Sequence, residues 1–312
     1  MNKILILLSA YNGEVYVREQ LDSIFNQNSK NVELLARDDG SNNRALNTIE
    51  QFKGVGVNVL LDDRNVGIKT SYSILLDYAL KNTNSNCFML CDQDDVWKED
   101  KVEKTLQKMK AMERKYPNTP ILIHTDLHVT DENLNIIDSS FWHYEHINPN
   151  KNSLGNLLMQ NTVTGCTMMI NRKLAQLALP IPDECMMHDW WIALVTSAFG
   201  KIAYVNEQTI FYRQHSDNDT GAKKYGVKNI FKKIPKIING NGIYVDHLDK
   251  NILQAEKFLE IYQDKLNDKN IKTLKAFINL KKDNFFQKRI NLFRFGLLKN
   301  GILRNIGLFL KV

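Results

Sequence analysis

Four short apolar runs, Lys3–Ser9, Val32–Arg37, Val57–Leu61 and Cys87–Leu90, follow one another in the first third of the chain, and each stops abruptly at polar residues. Runs of this length, bounded by Asp, Asn and Gly, read as buried strands. The stretches between them carry a different period. Glu14–Gln27 places Val17, Leu21, Ile24 and Phe25 on one helical face, and Ile68–Lys81 does the same with Ile74, Leu75, Tyr78 and Ala79. Strands alternating with amphipathic helices imply an α/β fold on a mixed, mostly parallel sheet. In an open sheet of that kind ligands bind beyond the carboxyl ends of the strands. The polar residues that follow each apolar run are therefore the ones to weigh.

Further along, the pattern predicts a helix over Lys98–Tyr116, stopped by Pro117, and a strand over Ile121–Thr125. An irregular polar stretch follows at Asp131–Asn152. Beyond it come a helix over Leu154–Gln160, a strand over Cys166–Ile170, a helix over Asp189–Phe199 and a strand over Ile202–Val205. Composition changes near Asp219–Lys224, where the chain turns helical and basic. This divides it into a body, residues 1–221, and a helical C-terminal region, residues 222–312.

Charge sharpens the division. The net charge of +6 is the sum of unlike parts: from Ala222 to Val312 there are 20 basic and 7 acidic residues, against 21 and 28 in the preceding part. A basic tail on an acidic body suggests an anionic surface as the tail's partner. Phe285–Val312 sharpens this, since six Lys and Arg are interleaved there with Ile290, Leu292, Phe293, Phe295, Ile302, Ile306 and Phe309, and no acidic residue occurs. Such a helix suits a membrane interface with anionic head groups, with Lys232, Lys233 and Lys236 of Ile230–Ile238 as a second contact. The competing reading is a basic helix packed on the acidic body. Nucleic acid is not expected as a partner, because no recognition motif accompanies the charge. Cys87, Cys91, Cys166 and Cys185 lack paired spacing and read as reduced, buried packing residues, and the apolar run at Met1–Ser9 is too short for a signal-peptide core. A cytoplasmic protein, peripheral at the inner face of the cell membrane, is expected.

The strand ends supply the chemistry. The first run leads into Ser9-Ala10-Tyr11-Asn12-Gly13, the second into Arg37-Asp38-Asp39-Gly40-Ser41, the third towards Arg64-Asn65-Val66-Gly67 and the fourth into Asp92-Gln93-Asp94-Asp95. Three carboxylates within four residues repel one another and call for a compensating cation. Hard oxygen ligands suit Mg²⁺ or Mn²⁺, held jointly with substrate phosphates. A plain solvated turn is the alternative for that loop, and a tight Asp-Gly turn is the alternative for Asp38-Asp39-Gly40. Otherwise a carboxylate of the Asp38-Asp39 pair is placed to accept a hydrogen bond from a nucleobase or a sugar hydroxyl. No Gly-x-Gly-x-x-Gly follows the first strand, which removes the main support for a dinucleotide oxidoreductase, and no Walker-type lysine loop occurs.

These segments, with Thr164-Gly165-Cys166, His188-Asp189-Trp190-Trp191 and Tyr212-Arg213-Gln214-His215, occur in the order seen in family 2 glycosyltransferases. The match runs from about Lys3 to Gly221, and the chain resembles in particular bacterial rhamnosyltransferases of surface-polysaccharide synthesis. The resemblance implies a GT-A-like nucleotide-sugar-binding fold and inverting transfer from a nucleotide-diphosphate sugar, dTDP-rhamnose foremost, to a saccharide acceptor, in such enzymes commonly lipid-linked. It implies that Ala10, Tyr11 and Asp39 hold the base, with Asn12, Asn65 and Gly67 in the same donor site. Asp92 and Gln93 would lie near the ribose and diphosphate, and Asp95 near the sugar or behind the metal ligands. Asp94 and His215 would hold Mg²⁺ or Mn²⁺, Arg213 would face the departing phosphate, and Asp189 would be the catalytic base. Asp189 is also suited to capping a helix. The following tryptophans fit either the core or a platform for a sugar ring. His124, His128, His143 and His146 are too scattered for a metal site and read as surface or loop histidines. Two other classes compete: a nucleotidyltransferase, which would carry a basic Gly-rich loop at Ser9–Gly13, and a non-catalytic sugar- or lipid-binding module.

Overall fold

A computed structural model describes residues 4–41, 44–62, 64–216, 221–222, 224–225 and 243–312. The stretch Ile230–Ile238, expected to make a second membrane contact, lies outside the described residues. A single curled sheet carries the fold, with strands β1 Ile4–Ala10, β2 Val32–Asp38, β3 Val57–Leu60, β4 Cys87–Cys91, β5 Val96–Trp97, β6 Ile121–Thr130, β7 Ile136–Asp138, β8 Met169–Asn171 and β9 Lys201–Arg213. Their order is β3-β2-β1-β4-β8-β6-β9-β5, with β7 beside β6. The pairs among β1 to β4 and β6 with β9 are parallel, whereas β8 runs antiparallel to both neighbours and β5 antiparallel to β9. The mixed, mostly parallel sheet expected from the sequence is the one present.

Both faces of the sheet are covered, and the period-2 alternation of each strand assigns side chains to them. Leu5, Leu7, Leu35, Phe88 and Leu90 point to one core, shared with helices α3 Gly67–Asn82, α6 Leu154–Met159, α7 Arg172–Ala178 and α8 His188–Phe199. Ile4, Ile6, Leu8, Leu34, Ala36 and Met89 point to the other, beneath α1 Val17–Phe25, α2 Arg44–Glu50 and α4 Lys101–Lys115. Burial on both faces is why the strands read as unbroken apolar runs.

The C-terminal helices, Ile243–Tyr262, Asp268–Ile278, Phe285–Arg294 and Ile302–Lys311, continue the first core through Phe258, Tyr262, Leu274, Phe277, Leu292 and Leu308. Trp191 packs on Phe258 with ring centroids 5.4 Å apart, and its Nε1 donates to the Ala178 carbonyl at 2.9 Å. This settles Trp191 as a core residue. Trp190 is half-buried with Nε1 on the Leu157 carbonyl.

Several elements differ from the sequence reading. The strand expected over Cys166–Ile170 begins only at Met169, because Thr167 turns back on Thr164 through its N–H (3.0 Å) and hydroxyl (2.7 Å) and closes a 3₁₀ turn, Gly165–Thr167. Strand β9 runs on from Val205 to Arg213, and β6 from Thr125 to Thr130, since the two pair along nearly their whole length. The stretch Asp131–Asn152 holds β7 and the short helix α5, Phe141–Tyr144. His124 and His128 sit on β6, not in a loop; His124 is fully buried and His128 stacks on Phe211.

Candidate functional site

Strands β3, β2, β1 and β4 are adjacent and parallel, so their polar carboxyl-terminal residues collect at one edge of the sheet. Hydrogen bonds then lock the loops together. The Gln93 amide bridges to the Tyr11 backbone in both directions, accepting from its N–H (2.8 Å) and donating to its carbonyl (2.9 Å). Gly13 makes that bridge possible: a Cβ there would lie 2.2 Å from Gln93 Oε1. Asn12 N–H donates to Ser41 Oγ at 2.8 Å, and Ser41 is held in turn by both oxygens of Asp38. Ala10 is buried and its carbonyl accepts from Asp39 N–H at 2.7 Å, while Tyr11 is exposed at the rim.

Asp39 is buried and organises the third loop. Its carboxylate pairs with the Arg37 guanidinium, and it accepts from Val66 N–H (3.0 Å) and Gly67 N–H (2.8 Å) where α3 begins. Asn65 lies exposed beside it, its Oδ1 3.2 Å from Gly67 N. A carboxylate at a helix N-terminus is well placed electrostatically.

Strand β5 decides the geometry of the acidic loop. Its antiparallel register with β9, Val96 opposite Phe211, runs the residues before β5 alongside those that end β9. As a result His215 Nε2 comes to 2.8 Å from Asp94 Oδ2, both half-buried. His215 lies against Tyr16 with ring centroids 4.9 Å apart and the rings tilted by 37°, and the Arg213 guanidinium lies over the Tyr16 ring, 4.4 Å from its centroid. The Arg213 guanidinium, expected to face a departing phosphate, is engaged by groups of the protein itself. Arg213 is buried, and its guanidinium donates to the Asp94 carbonyl (2.9 Å), the Glu132 carbonyl and the Glu19 carboxylate. Its backbone N–H reaches Asp95 Oδ1 at 3.3 Å. The residue fastens the acidic loop from within. Gln93 likewise spends its amide on Tyr11.

Asp95 is fully buried, and burial together with the neighbouring Asp94 and Asp92 charges pushes its carboxyl well above the usual range. Beneath it lies Lys101, also buried, its Nζ 4.6 Å from the Trp97 ring centroid and its pKa brought down to about 8 by desolvation. Ligand atoms of Asp92, Asp95 and Cys166 lie within 4.8 Å of one another. Burial holds the Cys166 thiol protonated, well above its ordinary pKa, and a protonated soft thiol is a poor ligand for Mg²⁺ or Mn²⁺. Asp94 and His215 fit such an ion better, being an oxygen and an imidazole nitrogen converging on one point.

Asp189 stands in the first turn of α8. Its carboxyl accepts from the Trp190 backbone and from Asn161, yet desolvation dominates and raises its pKa from 3.8 to about 7. It lies against the 3₁₀ turn: a Cβ on Gly165 would be 3.5 Å from Asp189 Cβ and 3.1 Å from His188 Nε2. His188 is buried, stacked on Tyr72 at 4.1 Å, and kept neutral by desolvation, its pKa near 3. Two consecutive residues therefore bridge the site, Gly165 touching Asp189 and Cys166 touching the Asp92–Asp95 loop. A surface depression of about 720 Å³ between α4 and β9, lined by Lys104, Gln107, Tyr204 and Glu207, holds none of these groups.

Sequence reasoning missed Tyr16, Glu19, Lys101 and Asn161. None sits in a motif, and nothing in their local sequence marks their contacts with residues far away in the chain.

Comparison with known proteins bears on the fold and the family. The chain is 24% identical over 235 residues to the dTDP-rhamnosyl transferase RfbG of Shigella flexneri, covering 69% of this chain and 74% of that protein. The S. aureus TarS 1-349 structure in complex with UDP superposes with a TM-score of 0.55 at 15% identity, over 99% of this chain and 75% of the other. The mannosyltransferase PcManGT from Pyrobaculum calidifontis, solved with GDP-Man and Mn²⁺, gives 0.54 at 12% identity, over 98% and 79%. At those identities the likeness is one of fold, GT-A. The glycosyl transferase family 2 model matches residues 5–177, more than half of the chain, and it is to this family that the protein belongs.

Proposed function

We propose that the protein transfers L-rhamnose from dTDP-rhamnose, with inversion, to a saccharide acceptor borne on a lipid, in synthesis of a surface polysaccharide. One observation carries the catalytic part: Asp189, with a pKa near 7, stands across the Gly165–Cys166 turn from the Asp92–Asp95 loop. A base is most effective when its pKa lies near the working pH. The acceptor hydroxyl oxygen forms the new bond to the anomeric carbon as the bond to the diphosphate oxygen breaks. The hydroxyl proton goes to Asp189, and nucleoside diphosphate departs from the side of Asp94 and His215. Mg²⁺ or Mn²⁺ held by those two residues would offset charge on the departing diphosphate. Arg213 and Asp95 keep the ligand loop in place, and the Asp39–Gly67 and Gln93–Tyr11 bonds shape the base-binding end. Rhamnose as the sugar is supported by the likeness to RfbG, and lipid linkage by the basic, apolar tail.

A panel of nucleotide sugars, tested with and without Mn²⁺ or Mg²⁺ for binding and for nucleoside diphosphate release, decides the matter. dTDP-rhamnose should bind and turn over most readily. Failure of every nucleotide sugar to bind would refute transfer; preference for another sugar would refute rhamnose alone.

A further inference from the structure

The last two helices present a surface that the donor site does not use. On Phe285–Arg294, Phe286, Ile290 and Phe293 (i, i+4, i+7) form an exposed stripe, with Phe285 beside it; on Ile302–Lys311, Ile302, Ile306 and Leu310 (i, i+4, i+8) form another. Phe286 is 75% exposed, Ile302 79% and Leu310 71%. The helices are neighbours: Phe293 stacks on Phe309 at 5.5 Å, and Arg289 donates to the Phe309 carbonyl at 3.0 Å. Large apolar side chains gathered so openly on a soluble surface mark a contact site.

Charge selects the occupant. Six Lys and Arg and no Asp or Glu lie between Phe285 and Val312, so the segment that carries the apolar stripes is basic, with Arg304 paired to Glu145 of the body. Residues 1–221 carry an excess of acid, which an anionic surface would repel. We infer that the paired helices Phe285–Arg294 and Ile302–Lys311 seat the protein on an anionic lipid bilayer, apolar stripes in the interface and cations at the head groups. No helix among the described residues is long and apolar enough to cross a membrane, so this contact is interfacial.

The seat is tied to the base side of the site. Asn156 Nδ2 donates to the Gly296 carbonyl (2.9 Å), Asn300 N–H donates to Gln160 Oε1 (2.9 Å), and a Cβ on Gly155 would strike the Phe295 carbonyl oxygen at 2.0 Å. The next residue, Asn161, hydrogen-bonds Asp189. A bilayer bound by these helices would thus be coupled through Gln160 and Asn161 to the segment that holds Asp189, the group that a lipid-borne hydroxyl has to reach. That last step rests on the proposed transfer; binding to lipid does not.

The test is flotation of the full-length protein with vesicles of phosphatidylcholine alone or mixed with phosphatidylglycerol, at low and high salt. Binding should require phosphatidylglycerol and weaken with salt. The variant Phe286→Ser/Ile302→Ser/Leu310→Ser should lose at least tenfold in vesicle affinity, and Lys288→Gln/Arg294→Gln about fivefold for each cation removed. Both should keep the parent melting curve and donor binding, which separates loss of the seat from loss of the fold or of the donor site. No binding to mixed vesicles, equal binding by parent and serine variant, or a dimer that the serine substitutions convert to monomer would each overturn the inference.

Discussion

The candidate site has two acidic walls built from the same side chain in opposite surroundings. Asp94 is half-buried at the sheet edge, faced by His215 and fastened from behind by Arg213. Asp189 is buried at the start of α8, away from any cation named above, and burial raises its pKa to about 7. The comparison teaches that environment divides the labour. A carboxylate shut away from water, as Asp189 is, holds its proton up to near neutral pH.

Replacing Asp189, the proposed proton acceptor, should have the largest effect. Asp189→Asn is expected to lower the transfer rate about 10²- to 10⁴-fold while leaving donor affinity unchanged, read by nucleoside diphosphate release and calorimetry. Full-rate transfer by this variant would erase the distinction between the walls. On the other wall, Asp94→Asn should weaken Mn²⁺ binding by at least about 10-fold, and His215→Ala by less, with donor affinity falling alongside. Unaltered Mn²⁺ titrations in both variants would move the metal elsewhere.

Proton linkage sharpens the comparison. With the folded pKa of Asp189 near 7 and the unfolded one near 3.8, the native state binds more protons between those values, so this group costs stability as pH rises from 4 to 7. Asp189→Asn should therefore melt higher than the parent at pH 8, by on the order of a few kcal/mol, and the gain should shrink towards pH 4. A gain independent of pH would show that the carboxyl is not buried as an acid. The parent's transfer rate should rise with pH through about 7. The smallest change is expected at the loop that frames the Asp94 wall: Gly13→Ala displaces the Gln93 amide from Tyr11 and should cost about 1–2 kcal/mol in thermal unfolding.

Much of the fold was legible. Strands β1 to β4 and helix α3 lie within a residue or so of their expected bounds, because two-sided burial writes an apolar run and one-sided burial a helical stripe. Helices α2 and α7 and the two-residue β5 went unseen, being too short to show a period. The full length of β9 was hidden by the polar residues Asn206, Glu207 and Gln208, where the register with β6 shifts past Asn206 and Glu207 and resumes with Gln208 opposite Asp126. At the candidate site, the motifs marked residues that the sheet does gather at its strand ends, but they did not show that the Arg213 guanidinium is taken up by acceptors from three separate segments.

What the sequence alone determined is the succession of strands and helices and the clustering of acidic and polar residues where parallel strands end, since both follow from periodicities a few residues long. Only the tertiary structure decided which carboxylate meets His215, which is buried beside Lys101 and which titrates near neutrality. Those properties come from desolvation and from contacts such as Arg213 with Asp94, 119 residues apart, and no local pattern encodes either.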